Sequence, residues 1–225
     1  MSVRSIYDDP EFVAGYVMLD RQVRELDGAA EWPALGSLLP ELADRRVVDL
    51  GCGFGWFSRW ANTTGAASVL GIDISTKMLQ RARADTAAAS VEYRCCVRVQ
   101  LDLATDSADA VFTSLTLHNV PDLGRLVSTM ASGGSPVLSV EHPINSAPKA
   151  QEFETSVHGG RFWPLDNYLV EGERVRNWFV DGVIEEHRTV ATCVNTVIDA
   201  GLTIDRVLEW GPCLLYTSPS PRDEQ

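Results

Sequence analysis

Short apolar runs alternate along this chain with stretches whose apolar positions recur every three or four residues. Val47 to Leu50 is the first run, a glycine turn follows, and Phe57, Trp60 and Ala61 then recur at helical spacing up to Gly65, a natural stop. A second strand is expected over Ser68 to Ile72. Ser75 then caps a helix on which Met78, Leu79 and Ala82 share a face. Val91 to Val97 reads as a third strand, Ala110 to Leu115 as a fourth and Pro136 to Val140 as a fifth. Asp122 caps a helix with Leu123, Leu126, Val127 and Met130 on its apolar face. Strands alternating with helices predict an α/β fold of the Rossmann-like type: three layers, a mostly parallel sheet with helices on both faces, and ligands at the carboxyl ends of the strands.

The first turn lies at such an end. "DLGCGFGW" places Gly51, Gly53 and Gly55 on alternate positions after Asp49 and Leu50. Glycine costs backbone entropy, so a cluster of it signals a sharp turn and a main chain that a ligand approaches closely, with unpaired N–H groups of the next helix nearby. Asp73 ends the second strand, where a carboxylate accepts both hydroxyls of a ribose. Charge-assisted bonds of that kind contribute roughly 1.5–3 kcal/mol each. The dinucleotide fingerprint G-x-G-x-x-G has glycine where this chain has Trp56, which disfavours a pyrophosphate and leaves a nicotinamide dehydrogenase as a rival reading.

Composition narrows the partners. The chain has 225 residues, long enough for one domain with an elaboration, and a formal net charge of -12, the sign that nucleic acid and anionic membranes repel. Neither partner is expected, and a small molecule is. The start lacks a secretory signal and no apolar run is long enough to span a bilayer. The five cysteines, Cys52, Cys95, Cys96, Cys193 and Cys213, form no C-x-x-C pair, which argues for a reducing, cytoplasmic setting and against a bound metal.

The string "DLGCGFGW" followed by "GIDIS" resembles the class I S-adenosylmethionine-dependent methyltransferases, in particular their small-molecule, ubiquinone and menaquinone methyltransferase-like branch. "EWPAL" (31 to 35), "SLTLHNV" (114 to 120) and "SVEHPI" (139 to 144) belong to the same likeness, which runs from about Ser2 to Trp210. The resemblance implies a seven-stranded sheet and S-adenosylmethionine as cofactor. Its methionine part would lie on the loop Gly51 to Gly55, with Asp49 before it and Cys52 within it. Asp73 would meet the ribose, Met78 the adenine and Leu115 the donor's side, with Ile74 also among the cofactor-binding residues. The family's usual acid at the adenine amino group falls on Val97, which cannot accept that bond; Asp102 is five residues further on. The reading remains a methyltransferase of a small, partly apolar metabolite; an inactive donor-binding relic is the rival that this departure supports.

Methyl transfer asks mainly for alignment, which supplies on the order of 7–11 kcal/mol. If the acceptor is a hydroxyl, a general base adds roughly 10²–10⁴-fold, and histidine is the usual choice. His118 follows the fourth strand and His142 the fifth, so these are the candidate catalytic residues; His187 and His158 are less well placed, and any of the four could be structural. Residues 145–188 interrupt the alternation and are rich in aromatics, including Phe153, Phe162, Trp163, Tyr168, Trp178 and Phe179. They read as a substrate cover around an apolar pocket or as a small satellite core needed for packing, two roles that can coincide. The resemblance implies one methyltransferase domain over 1–213: an N-terminal helical cover (1–45) carrying Tyr7, Phe12, Tyr16 and Arg21, the last either at the donor carboxylate or solvated, a donor-binding core (46–144), the insertion (145–188), and a C-terminal helix and strand (189–213). The tail 214–225, with alternating Ser and Pro, has no strand or helix period and reads as a disordered or non-native extension, leaving the last antiparallel strand missing.

Overall fold

The computed structural model describes residues 5–96 and 103–210. The N-terminal part is helical, with α1 (Pro10–Tyr16), α2 (Asp20–Val23) and α3 (Trp32–Gly36). The alternating core follows: β1 (Arg46–Leu50), α4 (Trp56–Thr63), β2 (Ser68–Asp73), α5 (Thr76–Ala84), β3 (Val91–Cys95), β4 (Ala110–Ser114), α6 (Leu123–Gly133) and β5 (Ser135–Ser139). A short helix α7 (Pro143–Ser146), a small ribbon of β6 (Glu154–Thr155) and β7 (Arg161–Phe162), a longer hairpin of β8 (Gly172–Trp178) and β9 (Val180–His187), and α8 (Val190–Asp199) complete it.

Among the described residues the core strands form one five-stranded sheet, order β3-β2-β1-β4-β5, with every pair parallel. Val47 lies opposite Val69 and Val48 opposite Val111, so successive residues of β1 feed opposite faces. One face buries Val47, Val69 and Phe112 against Phe57 and Ala61 of α4; the other buries Val48, Leu50, Ile72 and Val111 against Met130 of α6. Burial on both faces is why these strands are apolar runs and not alternating ones. The chain leaves the central β1 in one direction towards β2 and returns on its other side as β4, and the crevice at that reversal lies over the carboxyl ends.

The helix starts follow the side chains expected to cap them. Ser75 Oγ accepts from the Met78 amide at 3.1 Å, and the Asp122 carboxylate from the Arg125 amide at 2.9 Å. The expected strand within 189–213 does not form among the described residues. The chain after α8 runs from Gly201 to Trp210 without a ladder, since only Leu202 and Ile204 alternate inward before the exposed run Asp205 to Trp210. Val97, Asp102, Cys213 and the tail from Leu214 lie outside the described residues.

Candidate functional site

A cleft opens at the carboxyl ends of β1, β2 and β4. Gly51, Cys52 and Gly53 form one wall, Asp73, Ile74 and Met78 the next, and Leu115 a third, so seven of the sequence-derived residues meet there. The three glycines have different duties. All sit at positive φ, but a side chain on Gly51 would strike Thr116 Oγ1 at 2.2 Å and one on Gly55 would strike Tyr93 Oη at 2.2 Å. Gly53, at φ +53, would meet nothing within 4 Å and faces the open cleft. Gly55 thus serves the packing of Tyr93 and does not line the cleft, a correction to its assignment from spacing.

Asp73 is held in place by its neighbours. Its Oδ2 accepts from the Gly53 amide at 2.9 Å and its Oδ1 from the Ser75 amide at 2.8 Å. Burial pushes its acidity weaker than usual, and these amides oppose that shift. Asp49 goes elsewhere. It is 2% exposed, and its carboxylate accepts from Ser58 Oγ of α4 at 2.6 Å, beneath the loop and not in the cleft. Burial raises its pKa to about 7, against the Ser58 bond and with the Asp73 charge adding to the rise. Asp49 is two residues beyond Val47, so its side chain shares the α4 face of β1.

The N-terminal segment supplies walls that spacing alone left vague. Asp8 accepts from Ser75 Oγ at 2.7 Å and from the Lys77 amide at 3.3 Å, docking the turn Ile6–Asp8 on the start of α5. Tyr7 and Tyr16 then line the cleft, their rings 5.4 Å apart. Burial pushes Tyr7's phenol well above its ordinary range and that of Tyr16 up to about 12. Arg21 also lines it, with the guanidinium 5.3 Å over Trp56 and 3.0 Å from Glu31. Trp56 is part of that wall as well as of the core; Trp60 stays in the core with Trp32, at a centroid distance of 4.8 Å. Tyr7 and Tyr16 belong to the expected N-terminal cover, whereas Asn119 carried no sequence signal for this position beyond its polar type.

The histidines separate. His118 sits in the turn Leu117–Asn119 behind Asn119, which does line the cleft, and its Nδ1 is buried without a hydrogen-bond partner among the described residues. His142 is turned outward. It caps α7 through Nδ1, lies 3.1 Å from Glu209, and borders a shallow outer depression with Phe153 and Trp163. The sequence-based placing of His142 beside the donor is thus corrected: the chain bends at Pro143 and the cap uses up the ring. His187 is fully buried between Ser146 Oγ at 2.8 Å and the Tyr168 carbonyl at 2.9 Å, and His158 is exposed. The insertion's aromatics divide likewise. Trp178 and Phe179 pack on Phe12 of α1, whereas Phe153 is 55% and Phe162 44% exposed, and Phe153 borders the outer depression and not the cleft at the strand ends. Among the described residues no group of three His, Cys, Asp or Glu side chains is placed to hold a metal ion, and no helix is long and apolar enough to cross a membrane.

A glycine loop after β1, an acid after β2 and a cleft across the reversal of a parallel sheet define a nucleoside-binding α/β protein. Known proteins narrow that class. Residues 48–132 match the methyltransferase domain family. A crystal structure of an S-adenosylmethionine-dependent methyltransferase from Mesorhizobium loti is 47% identical with a TM-score of 0.79, covering 84% of this chain and 88% of that one. An uncharacterized protein of Haemophilus influenzae is 32% identical over 217 residues, 91% of this chain and 85% of the relative. The ubiquinone biosynthesis O-methyltransferase of Neisseria meningitidis is 37% identical over 98 residues, 41% of this chain and 40% of that protein. The chain belongs to the S-adenosylmethionine-dependent methyltransferases, and is an enzyme with S-adenosylmethionine as its cofactor.

Proposed function

We propose that this methyltransferase acts on a small, partly apolar acceptor, and that the donor lies along Gly51, Cys52 and Gly53 with its ribose on Asp73, its adenine near Ile74 and Met78, and Leu115 at its side. The observation that carries the reading is the pairing of an open Gly53 with an acid that already holds the Gly53 amide. Asp73 Oδ2 accepts from the Gly53 amide and Oδ1 from the Ser75 amide, and the carboxylate keeps acceptor capacity for a ribose hydroxyl. The residues fit the donor at its other end too: Arg21 lines the cleft and its Nε is buried without a hydrogen-bond partner among the described residues, a position suited to the donor carboxylate.

The donor supplies a methyl group already activated on a sulfonium. The chain's own residues hold and align the reactants and exclude water. Tyr7, Tyr16 and the α1 helix cover the cleft, and the hairpin β8–β9 braces that cover through Trp178 and Phe179. The N-terminal helices and residues 145–188 then act as covers over a donor-binding core. A net charge of -12 favours a small acceptor over nucleic acid or a membrane surface. Cys52, Cys95 and Cys193 are free thiols, which suits a cytoplasmic setting. Calorimetric titration with S-adenosylhomocysteine and, separately, NADH tests the reading: the first binds and the second does not. Absence of S-adenosylhomocysteine binding overturns it.

A further inference from the structure

Helix α6 turns two stripes to the rest of the protein. Leu123, Val127 and Met130 are buried in the core, as their spacing predicts. Asp122, Arg125, Leu126 and Thr129 recur at three and four residues beside them, and all four line the cleft. An S-adenosyl donor runs from its amino-acid end through sulfur and ribose to the base. With the amino-acid end on the glycine loop and Arg21, and the ribose on Asp73, the base continues past Asp73. The end of β3 and the second stripe of α6 meet there: the Cys96 amide donates to the Asp73 carbonyl at 3.1 Å, and Cys96 and Leu126 pack on one cluster around Leu50 and Ile72.

The polar groups of this stripe differ in how far the helix itself employs them. Asp122 caps α6, its Oδ1 accepting from the Arg125 amide at 2.9 Å. Thr129 Oγ1 donates to the Arg125 carbonyl at 3.0 Å. The Arg125 guanidinium has no such duty. Arg21, Arg46, Arg59 and Arg81 each meet a carboxylate, whereas Arg125 is exposed on the cleft wall with no carboxylate partner among the described residues. A guanidinium carries donors and no acceptor, so the groups it can bind are acceptors. Adenine offers acceptors at its ring nitrogens and a donor at its exocyclic amino group. An arginine beside the base therefore meets the ring nitrogens and leaves the amino group unread.

Resting on the donor site assigned above, we propose that Arg125 is a specificity-determining residue that binds the donor's base through its ring acceptors, with Leu126 as the apolar wall beside it. The cleft then selects a purine by its acceptor edge and admits hypoxanthine in place of adenine. Deamination exchanges the amino donor for a carbonyl oxygen next to the same ring nitrogens, and a guanidinium pairs with such an oxygen and ring nitrogen together. Asp122 is the acid at this end that would bind the amino group instead, and the two readings make opposite demands on a deaminated ligand.

Calorimetric titration with S-adenosylhomocysteine and with its deaminated analogue, S-inosylhomocysteine, tests this without any methyl acceptor. The unaltered protein should bind the analogue as tightly as S-adenosylhomocysteine or more tightly. Binding weaker by more than about threefold shows that the amino group is held by an acceptor and overturns the proposal. Arg125→Met keeps the apolar stem at an exposed position, so the urea midpoint should stay where it was while both compounds lose roughly tenfold in affinity. A loss below about threefold for either one overturns the proposal and leaves the donor site standing. The same loss should appear in displacement by methylthioadenosine, which has the base but no carboxylate; a loss confined to S-adenosylhomocysteine places Arg125 at the amino-acid end and is equally decisive against. Should Arg125→Met lower the urea midpoint, the comparison of the two ligands on the unaltered protein decides alone. If the unaltered protein binds neither compound, the donor site itself falls, and this assignment with it.

Discussion

Asp73 and Gly53, on neighbouring strand ends, are joined by a 2.9 Å hydrogen bond from the Gly53 amide to the Asp73 carboxylate. One acid thereby shapes the loop and presents its remaining lone pairs to the cleft, so its two roles are separable by substitution. Asp73→Asn keeps the size and an acceptor for one amide but loses the charge. S-adenosylhomocysteine affinity should fall by about 2 kcal/mol, roughly 30-fold, by calorimetry. An affinity within a factor of three of the unaltered protein would remove the ribose contact.

Gly53 and Gly55 should respond differently to alanine. Both are at positive φ, which costs about 1 kcal/mol for a side chain. Gly55→Ala also drives its methyl group into Tyr93, so its loss is chiefly of stability, read as a lowered urea midpoint. Gly53→Ala points into the cleft, and its larger effect should be on donor affinity.

Asp49 makes stability depend on pH with a definite sign. Its pKa is raised by burial to about 7, above its unfolded value, so the folded state binds the proton more tightly. The stabilisation is complete below about pH 4 and is lost as pH rises through about 7. Asp49→Asn mimics the protonated acid and still accepts from Ser58. Between pH 5 and 6.5 the difference in unfolding free energy between the two proteins should change by approaching 1.4 kcal/mol per pH unit, on the order of one proton. Parallel curves in urea titrations would place Asp49's pKa near that of a solvated acid.

Gly15 in α1 meets the tip of the hairpin. A methyl group there would lie 2.3 Å from the Phe179 ring. Helix propensity alone favours alanine by about 1 kcal/mol, while overpacking costs about 1–3 kcal/mol. Gly15→Ala should lower thermal stability and loosen the Tyr7 and Tyr16 wall, seen as weaker S-adenosylhomocysteine binding. Phe179→Ala in the same chain should recover part of the binding; no recovery would mean that α1 does not rely on this contact.

Arg188 clamps the turn behind the cleft. Arg188→Met keeps the apolar stem and removes its bonds to the Leu117, Val120 and Pro121 carbonyls, at a cost of about 2 kcal/mol. Amide exchange at Asn119 and Val120 should quicken while that of β1 keeps the rank it has. Unchanged exchange would show the turn to be held by Leu117 packing alone.

The core architecture was legible because each signal is local. Buried parallel strands are apolar runs, and Ser75 and Asp122 cap the helices that follow them, so β1 to β5 fall within a residue or two of their expected bounds. The glycine loop and Asp73 were legible for the same reason: positive φ and a strand-end carboxylate are properties of a few consecutive residues. Chain-distant contacts were not. Asp49 turned to Ser58, Gly55 to Tyr93, and His142 to an outer cap because each choice depends on a partner that spacing does not reveal. The cover shows the contrast most plainly: aromatic residues in 145–188 announced apolar packing, yet the hairpin's burial of Arg176, Glu185 and His187 with Val175 and Ile184 outside was settled by which face met the turn at His118. Periodicity assigns residues to faces, and only packing decides which face is the inside.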